Sequence, residues 1–161
     1  MEFYPIPQPD ELKEEERQDA SGAYLMMFAT TALGLPLPII NMIASIVYFF
    51  VNRSKGRFVK FHALQSMYSQ LIITFVNSYM VIWAIINYVK SNPYTNIFWG
   101  FVVAAGVFNL IYFIFSIIGA VRAHRGRFYY FLFFGRLAFM QVYKVRESED
   151  KEKPMNAPPK M

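Results

Sequence analysis

Cysteine is absent from the 161 residues, so neither a disulfide framework nor a thiolate metal site is available. Acid is missing over a longer stretch. From Ala20 to Arg146 there is no Asp or Glu, while 11 Lys and Arg residues fall in the same 127 positions. A stretch without carboxylates has no Asp or Glu for acid/base work and no carboxylate ligand for a hard cation. Phosphate loops and dinucleotide fingerprints are missing as well. An ordinary soluble enzyme is thereby disfavoured, and no cofactor is expected.

What the chain does have is apolar mass: 55% of its residues are hydrophobic and 19% aromatic, including 17 Phe and 11 Tyr. In a soluble domain of this size such a composition would leave large exposed apolar patches. The acids sit in the tails, seven between Glu2 and Asp19 and four between Glu147 and Glu152. Residues 1–22 read as an acidic N-terminal tail in which Pro5, Pro7 and Pro9 oppose a helix and Asp10 to Asp19 form a short solvated helix or none. Neither a secretory signal nor an organellar transit peptide fits this composition. Residues 144–161, with Pro154, Pro158 and Pro159 among charges, read as a disordered tail.

Between the tails lies an expected membrane domain, residues 23–143. Its first apolar run, 23–51, would reach roughly 43 Å as one helix, more than a bilayer core needs. Pro36 and Pro38 interrupt it, so a short first half that lies at or dips into the membrane should precede a better helix from about Pro38 to Val51. Further spans are expected at 61–89 and 97–121, joined by a turn in which Ser91-Asn92-Pro93 stops one helix before the next. Trp83, Tyr88, Tyr94 and Trp99 flank that turn as an interfacial aromatic belt would. The run 128–143 carries Arg136 at its middle and would reach only about 24 Å, which favours an interfacial helix over a fourth crossing. The expected fold is an all-α integral membrane protein with three crossings, the first proline-kinked, plus a C-terminal interfacial helix; four crossings are the alternative.

Orientation follows from the cations. Arg53, Lys55, Arg57 and Lys60 lie between the first two runs, and Arg122, Arg125 and Arg127 follow the third. Retention of basic loops in the cytoplasm puts both groups and the C-terminus inside a bacterial inner membrane, with the 90–96 turn and the acidic tail outside. Were the first run a re-entrant hairpin, the acidic tail would lie inside instead. The same seven cations are candidate contacts for anionic lipid, which accounts for them more simply than nucleic acid does.

At 100° per residue, His62, Gln65, Ser66, Ser69, Gln70 and Asn77 fall within about 140° of one face of the second run. Polar groups facing lipid are costly, so this candidate interaction face should meet partner helices or a hydrated cavity. Hydrogen bonding between helices is the plain explanation; a groove for a polar ligand or another chain is the functional one. Gly100 with Ala104, Ser116 with Ala120, and Asn41 with Ser45 repeat at the four-residue spacing of close helix packing, and Asn41, Asn77 and Asn109 are candidate cross-helix partners. His62 and His124, without Cys or carboxylate neighbours, make a poor metal site.

The run Lys55-Gly56-Arg57-Phe58-Val59-Lys60-Phe61-His62-Ala63-Leu64-Gln65, followed by Gln70, resembles the signature of Tic-twenty-like proteins. These are small bacterial membrane proteins related to a plastid inner-envelope protein-import component. Ala120, Ala123, Gly126, the aromatics from Phe128, and Arg136 are similar to that family's closing pattern, and Pro36 and Pro38 to its proline-interrupted first helix. Tyr68, Arg127 and Leu132 depart from it, standing where Asn, Glu and Pro are usual. The resemblance implies a non-enzymatic accessory subunit of an inner-membrane complex linked to protein translocation, with a translocase as candidate partner. Two alternatives stand beside it: a self-associating small-solute or ion pore, and a membrane enzyme that borrows a partner's carboxylate.

Overall fold

A computed structural model of the chain describes residues 3–28 and 38–145. Five α-helices follow in order: α1 (Glu14–Leu25), α2 (Pro38–Asn52), α3 (Arg57–Val89), α4 (Asn96–His124) and α5 (Leu132–Tyr143). A short 3-10 turn, Met26–Phe28, extends α1. The described residues contain no strand, only an isolated antiparallel bridge between Phe3 and Lys144.

Helix α3 is the axis of the molecule, and α1, α2, α4 and α5 all pack on it. It begins at Arg57, four residues before the expected start, because Phe58 and Val59 belong to the core and are fully buried. At its other end Ser91 takes a left-handed conformation (φ 52°), with Asn92 N–H donating to the Asn87 carbonyl and Ser91 N–H to that of Tyr88. This paired closure satisfies carbonyls that would otherwise be orphaned. Thr95 then starts α4, its side chain accepting from Phe98 N–H at 3.3 Å. The same paired closure ends α4: Gly126, at φ 70°, donates to Ala123 and Arg127 to Arg122. A side chain at Gly126 would also meet the Pro9 backbone.

Among the described residues α3 and α4 are the two helices long and apolar enough to cross a membrane. Their outer surfaces stay apolar and open: Phe75 is 70% exposed, Ile97 76% and Val103 66%, with Tyr79, Ile82 and Leu110 also exposed. The core helix of a soluble protein would bury such residues. Surface of this extent calls for an apolar surrounding.

The first apolar run departs from a single kinked helix. Helix α1 starts at Glu14, inside the acidic tail, where three Glu in its first turn suit the positive end of the helix dipole. Helix α2 returns toward the end where α1 began. Tyr48 donates to the Asp19 carbonyl at 2.7 Å, and Lys55 pairs with the Asp19 carboxylate at 2.9 Å. Farther along, Ala23 meets Ser66 and Pro38 meets Thr74. Both ends of residues 14–52 therefore lie at the start of α3. Placement of the acidic tail opposite the four-cation loop is corrected: tail and loop share one end. Pro36 and the remainder of 29–37 lie outside the described residues, as does the expected disordered tail from residue 146.

Helix α5 begins at Leu132 rather than 128, since residues 127–131 are not helical and Phe131 is extended. Its 12 residues reach only about 18 Å, too short for a crossing. Gly135, Ala138, Val142 and Tyr143 face the bundle while Arg136 stays exposed. Tyr4 N–H donates to the Tyr143 carbonyl at 2.8 Å, which ties the N-terminal segment to the end of α5.

Candidate functional site

Two features stand apart from the apolar packing: a polar network within the bundle and a concentration of cations at its end. The network centres on Gln65, which is fully buried. Its Nε2 donates to the Tyr24 hydroxyl at 2.5 Å and to the Tyr129 carbonyl at 2.9 Å, while its Oε1 accepts from Phe131 N–H at 3.0 Å. One amide thus joins α1, α3 and the non-helical segment before α5. The Tyr24 hydroxyl also lies 2.8 Å from His62 Nδ1. Because Gln65 donates to that hydroxyl, the phenol O–H is best oriented to donate to Nδ1, which places the single proton of the neutral imidazole on Nε2. Nε2 is buried without a conventional partner, and the rings of Phe58, Phe61 and Phe128 surround the imidazole at 4.5, 4.9 and 5.9 Å. Aromatic faces accept weakly from such a proton.

Along α3, Ser66 donates to the Ala23 carbonyl at 2.7 Å and Ser69 back to the Ser66 carbonyl at 2.8 Å. Gln70 accepts from the Tyr112 hydroxyl at 2.7 Å. Asn77 and Asn109 exchange two hydrogen bonds, at 2.9 and 2.8 Å, and Asn109 adds one to the Ala105 carbonyl. All six residues of the sequence-derived polar face thus point into the bundle, and each of the six meets a partner within this chain. The arrangement specifies which helices pair and at what register; its donors and acceptors are turned to one another.

The cations gather where α1, α3 and α5 meet. Lys55 is held by Asp19. The Arg57 guanidinium lies 3.4 Å from the Tyr4 ring centroid and that of Arg122 5.8 Å from Tyr129, both stacked on aromatics. Arg53 lies over Phe50 at 5.0 Å, Lys60 is half-buried, and Arg125 and Arg127 flank the Gly126 turn, exposed. Burial pushes the Tyr143 phenol well above its ordinary range, against the opposing pull of Arg57. No group of three or more His, Cys, Asp or Glu side chains suited to a metal occurs among the described residues. At the far end Trp83, Tyr94 and Trp99 all pack on Phe98, whereas Tyr88 is 80% exposed and stands apart.

Sequence reasoning found Asn109 as a cross-helix partner of Asn77 but missed the other partners of the polar face. Tyr24 and Tyr112 sit in apolar runs where nothing marks a hydroxyl as buried, and the Ala23, Tyr129 and Phe131 backbone groups have no signature at all. One signal was available for Tyr24. Gly119 lies against its ring so closely that an added Cβ would fall 2.9 Å from Cε1, so a glycine inside a helix marked the contact.

The fold and site define a small all-α protein with two helices of membrane-crossing length, braced at one end by a helical hairpin and a short C-terminal helix and pinned by buried amides. Residues 16–138 match the model of the MamF/MmsF family, described as the magnetosome magnetite crystal formation protein family, and the chain belongs to that family. No curated protein and no solved structure matches it. The family match overturns the resemblance to Tic-twenty-like proteins and, with it, the assignment to protein transport. The geometry explains why the shared pattern misled. Phe58, Phe61, His62, Gln65 and Gln70 are packing and hydrogen-bonding positions of a braced helical hairpin. Leu132 meanwhile adopts φ 40°, which the proline usual in the Tic-twenty-like pattern, with φ locked near −65°, could not take.

Proposed function

We propose that this chain is a non-enzymatic, membrane-embedded component of magnetite crystal formation, acting as an accessory subunit of a larger membrane assembly. The observation that carries the reading is the family match over residues 16–138. The open apolar surfaces of α3 and α4 support placement in a bilayer. The acid-free stretch from Ala20 to Arg146 supports a non-enzymatic role. Because the polar face is occupied by partners inside the chain, it supports a scaffold over a self-associating pore, whose lining would need donors and acceptors free for water or solute.

In this reading α3 and α4 cross the membrane, α1 and α2 form a re-entrant hairpin, and α5 lies at the interface. The cation-rich end, with both described chain ends, faces the cytoplasm, and the 90–95 turn faces the other side. Disruption of the gene in a magnetite-forming host should shift the size and shape distribution of the crystals, measured by electron microscopy, and the wild-type gene should restore it. An unchanged distribution would refute the role. Co-purification with a larger complex in mild detergent tests the accessory part; recovery only as a free monomer across several detergents would remove it.

A further inference from the structure

We infer that the cleft between the α2–α3 turn, the first turn of α3 and the end of α5 is a binding site for a phosphate group. Its volume is about 340 Å³, and Arg53, Arg57, Lys60 and Lys144 line it together with Ser54 and Gln141. Two stretches of the chain, 53–60 and 141–144, bring four cations to one concavity whose lining among the described residues includes no carboxylate. Such convergence is unfavourable by itself, since like charges repel most where low-dielectric walls focus their field. The nearby acids are directed elsewhere. Asp19 holds Lys55, Glu11 accepts from Gln8 N–H, and Glu14 pairs with Gln18. Glu16 accepts from Lys13 N–H and lies against Gly56 without itself lining the cleft.

The positive end of α3 adds to the field. Gly56 provides no side-chain cap, and the first turn contains no acid. Stacking on Tyr4 fixes the Arg57 guanidinium, whose planar fork suits paired phosphate oxygens. Ser54 and Gln141 supply neutral polar groups on opposite walls. The cleft therefore matches a phosphate carrying one or two negative charges, whether the headgroup of an anionic phospholipid or a soluble phosphate.

The test uses the full chain purified in a neutral detergent at low salt. One arm titrates inorganic phosphate by calorimetry; the other adds phosphatidylglycerol or phosphatidylcholine and counts bound lipid by native mass spectrometry. The expected result is saturable binding in at least one arm, weakened at least about tenfold in Arg53→Gln/Lys60→Gln, and unchanged in Lys90→Gln at the opposite end. Phosphatidylglycerol retained against added inorganic phosphate assigns a headgroup, and phosphate bound without lipid assigns a soluble anion. Should the double variant lose helicity by circular dichroism, Lys144→Gln alone serves, with weakening expected again. Absence of binding in both arms, or equal weakening by Lys90→Gln, would overturn the inference by reducing the cleft to diffuse surface charge.

Discussion

Replacing Gln65 with Leu removes the one side chain that joins three parts of the fold while nearly preserving volume. The change withdraws a donor from the Tyr129 carbonyl and an acceptor from Phe131 N–H, both in the non-helical segment 127–131 where no helical ladder can replace them. The Tyr24 hydroxyl keeps His62 as its remaining partner. Each buried group left unpaired costs about 1–3 kcal/mol, so the two backbone groups together place the loss at about 3 kcal/mol. Polar contacts between membrane helices average only about 0.6 kcal/mol, because an unfolded chain in a bilayer finds other partners. That discount applies to Asn77 and Asn109, which pair side chain to side chain between α3 and α4. It applies less to Gln65, whose partners are main-chain groups outside any helix. Asn77→Leu is therefore expected to cost about 1 kcal/mol and Gln65→Leu about three times as much. Unfolding in mixed micelles titrated with sodium dodecyl sulfate, followed by circular dichroism, measures both. Limited proteolysis supplies an independent readout, since Gln65→Leu should expose a cleavage site between 125 and 131 and Asn77→Leu should not. Equal losses for the two variants, or an uncut segment in Gln65→Leu, would refute the reasoning.

At Gly119, Ala would place a methyl against a Tyr24 ring fixed by His62 and Gln65, for an expected loss of about 1–3 kcal/mol in the same unfolding assay. Ala at Gly100, where nothing lies within 4 Å, should be neutral or slightly stabilising. Lys55→Gln removes an ion pair whose side chains are 47% and 24% exposed, so a loss below about 1 kcal/mol is expected, shrinking further in high salt. The natural absence of cysteine makes topology directly readable: Gln18→Cys and Ser54→Cys should react with a membrane-impermeant maleimide from the same face, and Asn92→Cys from the opposite one. Labelling of Gln18→Cys together with Asn92→Cys would restore the three-crossing arrangement.

Periodicity and punctuation were legible where one helix determined the answer. The polar stripe from His62 to Asn77 follows from 100° steps along α3, and the turn after Val89 from Ser91-Asn92-Pro93, whose left-handed serine closes the helix. Boundaries failed where charge was taken to mark the end of structure. A short solvated helix within Asp10 to Asp19 is one of the two readings of the tail, but α1 runs on from Glu14 to Leu25, because Ala20, Ala23 and Tyr24 bury the face that follows the acids. Arg57 and Lys60 read as loop yet form the first turn of α3, with Phe58 and Val59 anchored between them. Aromatic residues 128–131 read as helix yet are not helical, because Gln65 holds the backbone at Tyr129 and Phe131. In each case a contact distant in sequence outweighed the local pattern, and a single chain carries no record of such pairings.

The resemblance that misled had the same origin. A helix that packs against α1 and α2 on one flank and a short C-terminal helix on another needs buried aromatics at its start and amides that reach main-chain groups one turn later. Those needs arise from geometry, so a pattern such as Phe58-Val59, His62, Gln65 and Gln70 reports the architecture more directly than the task. Residues that would distinguish tasks lie outside it. Among the described residues they include half-buried or exposed side chains such as Lys60 and Lys144 in the cationic cleft and Tyr88 beside the far turn. Function in so small a bundle is therefore best sought at its two ends, since the polar face between them is already occupied in holding the helices in register.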